Sequence, residues 1–148
     1  MGSAQMTDAL RNQLIDHIFR SATYAKPTTL TIALYTANPS HNTLGTEVNT
    51  TGYARVTLIP NTIDWYATQG QTTSGPSTGN AAGGGTTGNA TAIVFGTPGA
   101  NWGVVTGFAI FDNTGTMLIW DALTNSKTVN NGDPAPSFPA NALQITFS

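Results

Sequence analysis

The chain has 148 residues, 39% of them hydrophobic, and carries five basic and seven acidic side chains for a formal net charge of −2. Charged residues make up only 8%, where about 25% is usual, which excludes a basic footprint for nucleic acid and a basic amphipathic face for membranes. Cysteine is absent, so disulfides, thiolate metal sites and cysteine nucleophiles are excluded too.

A chain of this length implies one domain, residues 1–148, with a core of its own. Met1–Met6 reads as an N-terminal arm, followed by one helix over Thr7–Arg20. There Leu10, Leu14 and Ile18 recur at i, i+4 and i+8, with Ile15 and Phe19 one position round, so a single apolar stripe should face the core. Thr7 is placed to cap the helix, Asp8 complements its dipole, and Asp16 can pair with Arg20. Pro27 then bars continuation. Arg, Asn, Asp and His interrupt the first apolar run, which therefore does not read as a signal peptide, and no stretch is apolar enough to span a bilayer.

Past Pro27 the period becomes two. Leu30, Ile32 and Leu34 alternate with Thr29, Thr31 and Ala33, and Ala54, Val56 and Leu58 share a face. The runs "TAIVFG", "VVTGFAIFD", "TMLIWDAL" and "LQITF" follow, the last with Leu143, Ile145 and Phe147 inward. Turn residues separate them. The fold predicted is mainly β, an antiparallel β-sandwich of jelly-roll-like character with one N-terminal α-helix. Leu14, Ile18, Ile32, Leu34, Val56, Ile110 and Ile145 should be largely buried. The segment 68–91, rich in Gly, Thr and Asn, holds no large apolar side chain and reads as a long surface loop.

Motifs for chemistry are sparse. Asp112-Asn113-Thr114-Gly115-Thr116 differs by one residue from the Asp-Lys-Thr-Gly-Thr phosphorylation loop of P-type ATPases, but the cation is missing and apolar runs flank it on both sides, as in a hairpin turn. His17 and His41 are too few for a metal site. Asp64, Asp112, Asp121 and Asp133 have ordinary places in turns, before aromatics or at a strand end, so no enzyme is expected and no cofactor. Trp65, Tyr66, Trp102 and Trp120 read as core closure more readily than as a sugar-stacking platform.

Six blocks in order, "LIDHIFRSATYAKPTTLTIALYTANP", "GYARV", "NWGVVTGFAIFD", "IWDAL", "SKTVNNGD" and "PSFPANALQITF", resemble a family of small tailed-bacteriophage virion proteins described as phage tail or tail-fibre proteins. The resemblance implies a structural, non-catalytic role in the virion, in many copies, with other virion proteins as partners. Sequence repeats of a long fibre are absent, so the leading expectation is a capsid decoration (cement) protein bridging major capsid subunits. The alternative is a tail-associated component, and a carbohydrate-binding adhesin using the tryptophans stands outside both. The contacts are expected from the arm and the long loop, at Met1, Met6, Gln69, Thr73, Asn80 and Asn89.

Overall fold

The computed structural model of the chain describes residues 4–41, 43–68 and 85–147. In chain order the elements are β1 (Gln5–Met6), α1 (Asp8–Phe19), β2 (Leu30–Ala37), β3 (Thr46–Glu47), β4 (Val56–Leu58), β5 (Thr86–Gly88), β6 (Ile93–Val94), β7 (Gly103–Phe111), β8 (Met117–Val129), β9 (Ser137–Phe138) and β10 (Gln144–Thr146). Six strands form one sheet in the order β1-β8-β7-β2-β3, with β4 also on β2. β10 pairs with β5, and β6 with β9, as separate two-stranded ribbons. All of these pairings are antiparallel.

The alternation legible in β2 and β7 sets the layers. The register pairs Ile32 with Ile110 and Leu34 with Phe108 on one face, and Ala33 with Ala109 on the other. The first face, with Leu118 and Ile119, meets Ile93, Phe138, Leu143 and Ile145 from the ribbons. Phe138 stands edge-on to Phe108 at 6.2 Å. The result is sandwich-like, but the second layer is two ribbons where a jelly roll has a continuous sheet. The other face buries Ala33, Tyr35, Ala109 and Phe111 in a smaller cluster. Arg55 covers part of it, 4.0 Å from the Phe111 ring centroid, while bonding Glu47 through two nitrogens at 2.8 and 2.7 Å.

The hairpin between β7 and β8 forms as expected. Asp112 N–H donates to Thr116 O and Gly115 N–H to Asp112 O, at 3.0 and 3.1 Å. Gly115 takes φ +84°, the left-handed position that closes such a loop. Ala109 and Phe111 face away from Phe108 and Ile110. The helix also begins and ends where its caps predict. Thr7 Oγ1 accepts from Leu10 N–H, and Asp16 lies 3.6 Å from Arg20.

Several expectations need correction. Leu10 is buried and Leu14 half-buried, but Ile18 is 67% exposed. α1 packs against β8 and β1 at the sheet's edge, which covers Leu10 and part of Leu14 but leaves Ile18 outside. Val56 is half-buried because β4 lies outside β2, and Phe147, beyond the end of β10, is 41% exposed. Asp121 lies inside β8, opposite Phe108, and does not end the strand. Residues 4–6 of the N-terminal arm are held against the fold. Gln5 and Met6 add to β8 opposite Trp120 and Ile119, Ala4 is buried, and its N–H donates to Thr146 O at 3.0 Å. An open strand edge offers unpaired backbone groups, and even two residues will take them.

The largest departure is at Asn89, which the composition of its segment places in a surface loop. It is fully buried. Its backbone N–H donates to Leu143 O and its carbonyl accepts from Asn141 N–H. Its side-chain Oδ1 accepts from Leu143 N–H at 2.9 Å, and Nδ2 points at the carbonyls of Thr91, Phe138 and Pro139 at 3.0 to 3.2 Å. Two amide hydrogens serve three acceptors, so one is shared. A short amide satisfies both a donor and acceptors in a site where each unpaired group would cost about 1–3 kcal/mol. Asn89→Ala is therefore expected to lower unfolding free energy by about 3 kcal/mol or more, measured by urea denaturation. A loss under about 1 kcal/mol would mean that water replaces the amide at little cost.

Candidate functional site

The residues singled out for chemistry are held in structural roles. Asp112 Oδ1 accepts from Thr114 N–H, Thr114 Oγ1–H and Thr116 N–H at 2.9, 2.7 and 3.0 Å. Partial burial pushes this carboxyl up, but these donors and the Gly115 amide outweigh it and hold the pKa below the ordinary value. The charge that a phosphoryl acceptor would use is engaged in closing the turn. Asp64 is held likewise, accepting from Ile59 N–H and from the Thr91 hydroxyl. Asp133 accepts from Asn130 N–H. His17 Nδ1 accepts from Tyr24 N–H, and His41 Nδ1 lies 3.8 Å from Asp8.

The four aromatics do not converge. Trp102 is buried in the main core, its Nε1–H donating to Thr51 O at 3.2 Å and its ring edge-on to Tyr53. Trp120 belongs to the cluster on the other face of the sheet. Tyr66 N–H donates to Gly88 O, and Trp65 bridges to Asn89.

Of the expected contact residues, Met6 is half-buried in β1 against the core and Asn89 is enclosed. Neither is presented outward, because backbone pairing and amide satisfaction draw them in. Met1, Gln69, Thr73 and Asn80 lie outside the described residues.

The surface that stands out instead is apolar. A cleft of about 370 Å³ opens between α1 and the sheet. Its lining includes Leu10 and Leu14 of α1, Trp65 and Phe147, and Ile119 and Ile145 from β8 and β10. Elements that contribute to the lining also carry exposed apolar side chains: Ile15, Ile18 and Phe19 on α1 are 52%, 67% and 79% exposed, and Ile63, between the lining residues Asn61 and Trp65, is 67% exposed. Trp65 Nε1 is buried without a hydrogen-bond partner among the described residues. Scattered exposed apolar residues are ordinary, whereas a concentration around a concave apolar site marks a contact surface.

Sequence reasoning missed this surface, although a signal was there. At 100° per residue, Leu10 to Phe19 spans about 180° of the helix circumference. That is wider than a helix at a sheet edge can bury.

A family model described as Podophage GP4 fiber I protein gp80 matches residues 5–146, from the first residue of β1 to the last of β10. A search of curated proteins returns no match.

One carboxylate differs from the rest. Asp121 is 8% exposed, and its Oδ1 accepts from Ala122 N–H at 2.8 Å. Its Oδ2 is buried with no partner among the described residues. Burial raises its pKa above the ordinary value, opposed by the Ala122 amide. The folded protein thus keeps this proton to higher pH than the unfolded chain does. Stability falls as pH rises from the unfolded value of about 3.9 through the folded one, and the penalty is complete above it. Asp121→Asn removes the ionisable group, so at pH 7 the variant should melt above wild type. The gap should close as the pH approaches 3. Equal gaps at pH 3 and pH 7 in thermal scans would show that the charge is not the cause.

Proposed function

The chain belongs to the podophage GP4 fiber I protein family, and from that premise we propose that it is a non-enzymatic fibre component of the podophage tail, held in the virion by apolar contact. The match over residues 5–146 carries the reading. The single sheet with its two ribbons would suit a capsid module equally well, so compactness alone does not favour the capsid-decoration reading. The family's description speaks for a fibre.

The surface fits attachment by shape and apolar burial. Few charges must be desolvated, and charge desolvation is what makes interfaces costly. The cleft beside α1 and the apolar side chains around it are the surface we assign to contact with neighbouring virion proteins. Such a grip depends little on ionic strength, since salt screens mainly exposed charges.

Quantitative mass spectrometry of purified virions against the major capsid protein tests the position. A copy number set by the tail's symmetry, far below one per capsid subunit, is expected. A number approaching that of the capsid subunits would restore the decoration reading and remove this one.

A further inference from the structure

Asp121 is the one buried carboxyl among the described residues, and its Oδ2 has no partner there. Such a site suits the neutral acid and is costly for the carboxylate. One of its two covers in the sheet is short. On one side Asp121 stands opposite Phe108 of β7. On the other lies β1, where Gln5 faces Trp120 and Met6 faces Ile119. One more step in that register brings Ala4, itself buried in the main core, level with Asp121. Ala4 is tied down by its N–H, which donates to Thr146 O at 3.0 Å. The chain is fixed again at Thr7, whose N–H donates to Leu118 O at 2.9 Å and whose hydroxyl donates to Met117 O at 2.7 Å. A two-residue strand at a sheet edge opens far more readily than the fold as a whole. Residues 4–6 can therefore lift about Thr7 while α1 stays in place.

We propose that residues 4–6 are a proton-controlled strap, closed beside Asp121 when the carboxyl is neutral and lifted from β8 when it is ionised. Lifting admits water to the carboxylate and leaves the pairing of β2 with β7 intact. No counter-charge in the described residues relieves Asp121 otherwise. β7 presents Gly107 and Phe108, β1 presents Gln5 and Met6, and β10 has no ionisable side chain. α1 packs on β8 with Asp8, Arg11, Asp16 and His17, and β8 itself carries Lys127, but none of these acts on Asp121. The chain's N-terminal ammonium does act on it, and favours the ionised form. Burial is the larger effect and works the other way, so the closed form holds the proton more tightly than an open one does. The strap is held most firmly below the ordinary carboxyl value of about 3.9. It loosens as the pH rises from there through the raised folded value, and changes no further above it. The lifted form leaves the outer edge of β8 unpaired at Ile119 and Trp120. The device belongs to the folded chain itself and does not rest on the position of the protein in the virion.

Amide hydrogen exchange of the full chain, followed by NMR from pH 4 to pH 8 and corrected for intrinsic rates, tests it. In wild type the Ala4 amide should lose protection as the pH rises, by up to about tenfold per pH unit, and level off once Asp121 is ionised. Asp121→Asn should hold Ala4 protection constant over the same range. Dilute urea separates a local lift from global unfolding, because its effect scales with the surface exposed. Ala4 exchange should be nearly indifferent to it, while the Asn89 amide, bonded to Leu143 O inside the core, should exchange faster. An Ala4 amide indifferent to pH, a response that survives in Asp121→Asn, or a urea dependence as steep as that of Asn89 overturns the proposal. Should the variant fail to fold, wild type decides alone. The carboxyl carbon shift of Asp121 must titrate with the same midpoint as Ala4 protection, and separate midpoints also overturn it.

Discussion

The fold depends on the pairing of β2 with β7 in one register. Ile110 lies opposite Ile32 on one side and Ile119 of β8 on the other. All three are buried, so the middle of the sheet is an apolar row three strands wide. Because side chains alternate with period two, a slip of one residue would send Ile32, Leu34, Phe108 and Ile110 to the wrong face together. The ribbons β5–β10 and β6–β9 are too small to be stable alone. They persist because this row gives Ile145, Leu143, Ile93 and Phe138 a surface to cover.

A chain with so few charges must satisfy its interior by other means. Amides and hydroxyls do that here. Asn89 ties four backbone groups together where β5, β10 and the segment after β9 meet. Tyr53 hydroxyl accepts from Leu34 N–H at 3.0 Å and donates to Glu47 at 2.8 Å. Burial raises the Glu47 carboxyl, but the bonds from Arg55 and Tyr53 more than offset it and keep the group ionised. This ion pair is therefore part of a hydrogen-bonded network over Phe111, unlike the exposed pairs on α1, which contribute little. Asp121 Oδ2 and Trp65 Nε1 go against the pattern, each buried without a hydrogen-bond partner among the described residues.

What the sequence made legible was local. Thr7 at the N-cap, the Asp112–Gly115 turn and the alternation of β2 and β7 each follow from a few neighbouring residues, and each forms where expected. The order of blocks pointed to the phage virion family without reference to any site. The remainder depends on partners distant in the chain. Periodicity shows that Leu10, Leu14 and Ile18 share a stripe, but not that the sheet's edge is reached only by the first two. The two-residue strand β1 has no propensity signal, since it exists because β8 has an open edge. Asn89 looked like loop because its segment is polar, and its enclosure depends on carbonyls some fifty residues further on. The cleft belongs to no single element, so no window of sequence contained it.

The exposed apolar face of α1 bears on why such a chain would keep Phe19 at the surface at all. Exposed apolar side chains around a hollow are a standing liability for aggregation, and a monomer selected only for solubility would replace them with polar residues. The chain has few charges with which to offset that liability by repulsion. Exposure is tolerable where the surface is occupied for most of the protein's existence, as in a particle assembled from many copies. The same sparsity of charge then favours assembly, because closing the face requires little ionic desolvation. Low charge, an apolar cleft and the exposed apolar residues of α1 are thus all what the proposed attachment in a virion would require.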